Sequence, residues 1–457
     1  MDSYFVEALD LSKHPIIKSK RKFKEEYYMA LVYAINRTVN SKIYSKGTCS
    51  RKHSPSLLVT GAKKKYIFGR LKEYYHNLFS ELRELEADCL DDKMVLSKAF
   101  ISCVTERWLQ KYPFMLICDI ALILMEKELI TYALSLINEY ISNTRRKEVD
   151  KVKDLLYNDW SIAKKYSYVD VLIKQFRSNN KFLSQKERRI LVTANMSAGK
   201  STLINALTGK YLAHTSQEVC TGNVCYIYNK PFEDNDTNLF AGHLKMFAQQ
   251  EELSNYGWNE KIVISSYFRT QKQQFQRLCL IDTPGVDSAL NDIHGEITYK
   301  VLNEVPCDVV LCVMSPTQLG TDAEKEHLQW LSKNVDKNKV VFVLNKMDNY
   351  RKDADSIDES IQALRCDLLE YGFMEPTICP ISAYFSYLLK LRMSGGVLSL
   401  DDSDEYDYLA RKFMRDFYDL SRYYPSVNIL DNDSEEVILS KRTGLYGLEE
   451  IVYGGNL

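Results

Sequence analysis

Leu71, Tyr75, Leu78, Leu82 and Leu85 recur at alternating spacings of four and three, which draws one apolar stripe down a helix. Helical periodicity of this kind, with almost no strand signal, runs from about residue 21 to 178. A stripe must be covered, and the apolar stretches at 94–108, 114–141 and 149–176 supply the cover as an antiparallel bundle. The polar stretches 42–56 (KIYSKGTCSRKHSPS) and 178–186 (SNNKFLSQK) are the expected breaks. Beyond them the texture changes to short β-rich runs separated by helical stretches: ILVTA, VCYIY, KIVISSYF, RLCLIDT, DVVLCVMS, KVVFVLNK and TICPISA. Continuous apolar strands alternating with helices predict an α/β domain whose mostly parallel sheet is covered on both faces. The expected organisation is therefore an N-terminal α-helical bundle over residues 1–180 and an α/β domain over 184–457.

Composition narrows the partners more than the fold. With 45% hydrophobic and 26% charged residues the 457-residue chain reads as globular, and a net charge of −1 provides no field toward nucleic acid or anionic lipid. The basic runs KSKRKFK (18–24) and Lys63–Lys65 read as solvated faces, and the one biased tract is the acidic stretch 401–407. Eleven cysteines without a CxxC pair and seven isolated histidines predict reduced thiols in a cytoplasmic setting and no zinc site. Asp2, Glu7 and Asp10 interrupt any leader-like start, and FMLICDIALILM (114–125) is too short for a bilayer and carries Asp119, so it predicts a buried helix.

The chemistry sits at predicted strand ends, where ligands of such sheets bind. ILVTA runs into Asn195, Met196, Ser197, Ala198, Gly199, Lys200, Ser201 and Thr202 and then the helical TLINALTG. A strand, a tight loop and a helix opening on that loop make a phosphate cradle of backbone N–H groups and a positive helix end. Gly199 lets the backbone approach the phosphates, Lys200 reaches the β and γ phosphates, and Ser201 is placed for magnesium. Ala194 stands where the usual pattern opens with glycine, which matters only if that position needs φ > 0. At the end of RLCLID, Asp282 offers a carboxylate to a magnesium-bound water, and Gly285 offers its N–H to a γ-phosphate. Asn345, Lys346 and Asp348 close the strand VVFVL; the carboxylate accepts from the guanine N1–H and N2 amino group, donors that adenine lacks. Ser382 and Ala383 follow the next strand and would cover the guanine carbonyl through a backbone N–H. A threonine that reaches the metal only with the γ-phosphate present lies between cradle and DTPG. Thr215 and Thr221 compete, and Thr221 is preferred because TGNVCYIY leads directly into a strand.

NMSAGKSTLINAL, CTGNV, LIDTPGVDSA with His294 downstream, SPTQLGTDAE, NKMD and PISA together resemble the dynamin-family GTPases, especially the bacterial dynamin-like proteins. The resemblance covers about residues 188–452, including TGLYGLEE; residues 1–178 match nothing quotable in it. It implies GTP hydrolysis to GDP with Mg2+, domains that pair face to face across their nucleotides, and membrane remodelling. It further implies roles for Ser197, Lys200 and Thr221 in catalysis, and for Ser201, Thr221 and Asp282 at the metal. Met196 stands where eukaryotic dynamins have glutamine, and Val286 follows DTPG, so neither side chain can orient water. Hydrolysis then draws on main-chain groups near Thr221, a monovalent cation near Ser197, or a partner. The expected partners are a second copy or a companion dynamin-like chain bound through the N-terminal helices. Any membrane contact is peripheral and comes through that partner, and nucleic acid is not expected, for want of a basic RNA-binding module. The alternative is a nucleotide-gated scaffold with little turnover.

Overall fold

The computed structural model describes residues 7–41, 61–79, 82, 92–108, 111–214, 223–254, 262–270, 276–286 and 292–454. They divide into two compact units, with the first boundary between Ser184 and Gln185. The first unit also takes in residues 231–234 and 243–246 from far downstream.

Among the described residues the first unit holds seven α-helices: α1 (Arg21–Asn40), α2 (Gly61–Leu78), α3 (Lys93–Thr105), α4 (Tyr112–Leu124), α5 (Lys127–Glu139), α6 (Asn143–Tyr157) and α7 (Asp170–Leu183). Asp92 starts α3 by accepting from the Met94 and Val95 N–H groups, which relieves two of the donors a helix leaves unpaired at its start. The apolar segment at 114–125 is a buried helix as expected: every residue of α4 is buried. Its one carboxylate, Asp119, is fully enclosed and fully engaged. His14 Nδ1 accepts from the Ile16 N–H, so the ring proton lies on Nε2, which stands 3.1 Å from both Asp119 oxygens, and the Tyr27 hydroxyl donates to the same carboxylate. A carboxylate among aliphatic side chains is tolerated because His14 and Tyr27 supply its hydrogen bonds. Asp119→Ala removes the acceptor shared by the buried His14 and Tyr27. It is expected to destabilise this unit by about 3 kcal/mol, read as faster amide exchange over α4 in the full-length chain; unchanged exchange would refute it.

Two expectations for this region need correction. The 71–85 stripe does not lie on one helix, because α2 ends at Leu78, although Leu82 beyond it is still buried. Nor is 178–186 a hinge along its whole length, because α7 continues to Leu183. The polar Asn179 that suggested a break is buried, and its amide bridges the N–H and carbonyl of Ala8 at 2.9 and 2.8 Å. The break at 42–56 lies outside the described residues.

The second unit is the α/β domain. Its strands are β1 (Glu187–Ala194), β2 (Cys225–Asn229), β3 (Asn238–Ala241), β5 (Ile262–Ser266), β6 (Arg277–Asp282), β7 (Val309–Met314), β8 (Val340–Leu344) and β9 (Thr377–Pro380), while the residues of the three-residue β4 (His243–Lys245) group with the helical unit. The order is β3-β5-β2-β6-β1-β7-β8-β9. Pairing is parallel except at β2–β6 and β3–β5. All seven strands read from the sequence are present; β3 and β4 were not foreseen.

Helices α8 (Lys200–Thr208), α10 (Asp292–Glu304), α11 (Asp322–Asn334), α12 (Ile357–Glu370), α13 (Ala383–Met393), α14 (Leu400–Phe413), α15 (Glu435–Arg442) and α16 (Leu445–Gly454) accompany the sheet, with α9 (Gln250–Ser254) a short turn. The acidic tract is the first part of α14, where Asp401 and Asp402 favour the positive helix end. Lys390 of α13 is buried, pairs with Glu449 of α16 and donates to the Leu207 carbonyl of α8 at 2.9 Å. That contact fixes α13, and with it the strand-end residues at its start, against the helix that opens on the phosphate loop. Among the described residues no helix is long and apolar enough to cross a membrane, and the described cysteines are free.

Candidate nucleotide site

Ala194 is the last residue of β1, fully buried and without a positive φ, so alanine meets no backbone strain there. The left-handed positions of the loop are Ser197 (φ +59°) and Gly199 (φ +92°). At Gly199 a Cβ would also lie 2.3 Å from Asn345 Nδ2, so this position needs glycine for conformation and for space. The loop then opens directly into α8 at Lys200, with Ser201 and Thr202 in its first turn.

The DTPG segment is fastened to the same strand. Thr283 Oγ1 donates to the Val192 carbonyl at 2.9 Å, and the Val286 N–H donates to the Ala194 carbonyl at 3.2 Å. Gly285 passes so near the loop that a Cβ would sit 3.1 Å from Met196 Cγ. Lys200 Nζ contacts Asp282 Oδ1, which places the loop's ammonium and the β6 carboxylate on one volume.

Asn345 joins the remaining parts. Its side chain is buried, Nδ2 donates to the Ala198 carbonyl at 3.0 Å, and Oδ1 accepts from the Ala383 N–H at 3.0 Å. One amide thereby locks the phosphate loop to two strand ends. The expectation was a backbone N–H of Ser382 or Ala383 over a base carbonyl; here the Ala383 N–H donates to Asn345 and the Ser382 N–H to the Thr443 carbonyl. Lys346 takes φ +64°, and the following turn brings Asp348 to Ser382, whose hydroxyl donates to Asp348 Oδ1 at 2.6 Å. Lys412 of α14 donates to the Asp348 carbonyl at 2.6 Å, a support with no signature in the sequence. Thr215 and Thr221 lie outside the described residues, as does the side chain of His294.

Behind the loop stands a second polar group that sequence reasoning missed. Gln318 Nε2 donates to the Met196 carbonyl at 2.7 Å, and His327 Nε2 lies 3.2 Å from Thr193 Oγ1. Burial holds His327 down at about 4, and burial pushes Glu324 up to about 7 against the lowering pull of the Gly320 N–H. SPTQLGTDAE was legible only as a motif, because its contacts lie across the sheet.

A strand, phosphate loop and helix, with an acidic strand end and an Asn-Lys-x-Asp strand end beside them, define a P-loop nucleotide-binding domain. Residues 190–347 match the model of the Dynamin family. An uncharacterized protein in the xynA 3' region of Caldicellulosiruptor sp. (strain Rt8B.4) is 29% identical over 166 residues. The match takes in 35% of this chain, and the chain spans only 40% of that curated relative's length. Among solved structures, the chloroplast translocon components atToc33 and psToc159, in work on dimerization and GTPase activity, align over 44% of this chain and 72% of theirs, with 15% identity and a TM-score of 0.30. An Aquifex aeolicus Era variant bound to GDP and aluminium fluoride aligns over 47% and 58%, with 19% identity and a TM-score of 0.27.

Proposed function

We propose that this chain binds GTP and hydrolyses it to GDP with Mg2+, and that pairing of two GTPase domains raises turnover. The observation that carries this reading is Asn345, whose one side chain ties the phosphate loop at Ala198 to the base-reading strand ends at Asn345 and Ala383. In this reading the N–H groups of Asn195 to Thr202 cradle the phosphates, and Lys200 offsets their charge. Asn345, Lys346, Asp348, Ser382 and Ala383 form the guanine end. Ser201, Asp282 and Thr221 are the oxygen donors for magnesium, and the contact of Lys200 with Asp282 supports the fit by bringing a carboxylate to the volume where the phosphates end. Magnesium supplies neutralisation of the charge on the β and γ oxygens. Ser197, exposed at the loop's crest, is the residue for a monovalent cation or a partner's group.

Pairing follows from what the site lacks: Met196 and Val286 have no group that can hold an attacking water. A second copy, or a companion dynamin-like chain held through the N-terminal helices, completes the site. The protein works in the cytoplasm, and any membrane contact comes through that companion.

The same apolar side chains favour a second reading, a nucleotide-gated scaffold with little turnover. Phosphate release by the purified full-length chain separates the two, measured with GTP or ATP, with and without potassium, at rising protein concentration. GTP-selective turnover that climbs per molecule with concentration is expected. Tight GTP binding with no phosphate release at any concentration would sustain the scaffold and overturn the enzyme.

A further inference from the structure

The phosphate loop is held from behind as well as from its ends. Gln318 Nε2 donates to the Met196 carbonyl, and since Met196 offers only an acceptor, the orientation of the Gln318 amide is fixed. The Met196–Ser197 peptide is trans, so its carbonyl and its N–H point in opposite directions. Drawing the carbonyl back toward Gln318 therefore turns the Ser197 N–H forward, and Ser197 takes the left-handed φ that continues the loop.

Gln318 itself is anchored. It ends the short turn Pro316–Gln318; its N–H donates to the Ser315 carbonyl at 2.9 Å, and its carbonyl accepts from the Thr321 N–H and hydroxyl at 3.2 and 2.9 Å. Glu324 Oε2 accepts from the Gly320 N–H at 2.6 Å and closes the same segment.

Asn195 Oδ1, Gln318 Oε1 and His327 Nδ1 are buried atoms without a protein partner, and all three residues line one cavity of about 10 Å³. That volume holds about one water, and a water there needs two to four polar partners. The proton count agrees. Burial keeps His327 neutral at physiological pH, with one ring N–H. If Thr193 donates to Nε2, that N–H lies on Nδ1 and donates to the water, whose two hydrogens go to Asn195 Oδ1 and Gln318 Oε1.

We propose that Gln318 is a positioning residue for the phosphate loop and that one ordered water bound by Asn195, Gln318 and His327 completes its support. The inference rests on the reading of the loop as a guanine-nucleotide cradle and adds the device that keeps its N–H groups aimed. Because the Ser197 N–H serves phosphate and not base, the consequence is specific: losing Gln318 weakens every nucleotide equally and leaves base choice alone.

The test compares full-length wild type, Gln318→Met and Gln318→Glu, with Lys200→Ala as reference, for affinity toward GDP and IDP and for unfolding temperature without nucleotide. Gln318→Met keeps the length and removes the donor; Gln318→Glu keeps acceptors for the water and replaces the donor to Met196 with a repelling carboxylate oxygen. Both are expected to bind GDP about tenfold more weakly, as for one lost hydrogen bond that leaves its acceptor behind, with the GDP to IDP ratio unchanged and a single cooperative unfolding transition retained. If Gln318→Met fails to fold, Gln318→Glu decides. Wild-type GDP affinity in the variant that folds, or a collapsed GDP to IDP ratio, overturns the proposal. A crystal structure of the wild type with the cavity dry overturns its water. Wild type that binds neither GDP nor GTP refutes the nucleotide reading itself, whereas binding that is intact in wild type and Gln318 variants alike refutes only this inference.

Discussion

Lys200→Ala is expected to lower affinity for GDP and GTP by about 1,000-fold or more while the fold survives. The size comes from two terms acting together. The phosphates lose a charge-assisted hydrogen bond, which contributes about 1.5–3 kcal/mol. In addition, Asp282, now paired with the lysine, is left as an uncompensated carboxylate facing an anionic ligand. The fold should hold because Lys200 opens α8 without taking part in the core that Leu203, Ile204 and Leu207 build beneath it. Titration with a fluorescent GTP analogue, paired with a thermal melt, measures both halves. Undiminished binding would mean that the loop is not a phosphate cradle.

The second large effect is a change of base. Asp348→Asn is expected to weaken guanine nucleotides by about 10⁴-fold, the scale on which a site built for specific hydrogen bonds rejects a mismatched partner, and to favour xanthine. The direction follows from Ser382. Its hydroxyl donates to Asp348 Oδ1, so an asparagine here keeps its carbonyl toward Ser382 and turns its amino group to the base. Two donors then confront the guanine N1–H and N2 amino group, whereas the C2 carbonyl of xanthine accepts. Competition between GTP and XTP for the variant, and between GTP and ATP for the wild type, reads it out. Wild type that binds ATP and GTP alike would remove the role given to Asp348.

The phosphate loop, DTPG and NKMD were legible because each is a local event, a strand ending in a turn whose residue types its backbone demands. Gly199 illustrates this, since its left-handed φ could be suspected from the motif. What lay beyond reach were side chains whose meaning depends on a distant partner. Asn179 looked like a helix breaker until Ala8, from the start of the chain, took both ends of its amide. Gln318 and Lys412 carry no local mark of their bonds to Met196 and Asp348. The antiparallel β3 escaped notice because four residues, NLFA, are too short to show a period. The Ala194 question was answered by register, since pairing of Ala194 with Val313 makes it strand, where alanine serves as well as glycine.

Residues 231–234 and 243–246 bear on how such a chain can be taken apart. The helical unit is not a bead strung before the GTPase domain, because the polypeptide leaves it at Ser184 and re-enters it twice. In the first re-entry the Asp234 carboxylate accepts from the Leu9 N–H at 3.1 Å, and in the second Leu244 packs where Gly69 has no side chain. A single cut at Gln185 would therefore strand two loops whose apolar and hydrogen-bonding surfaces were shaped for the discarded part. For the same reason no single junction separates the helical unit from the rest of the chain.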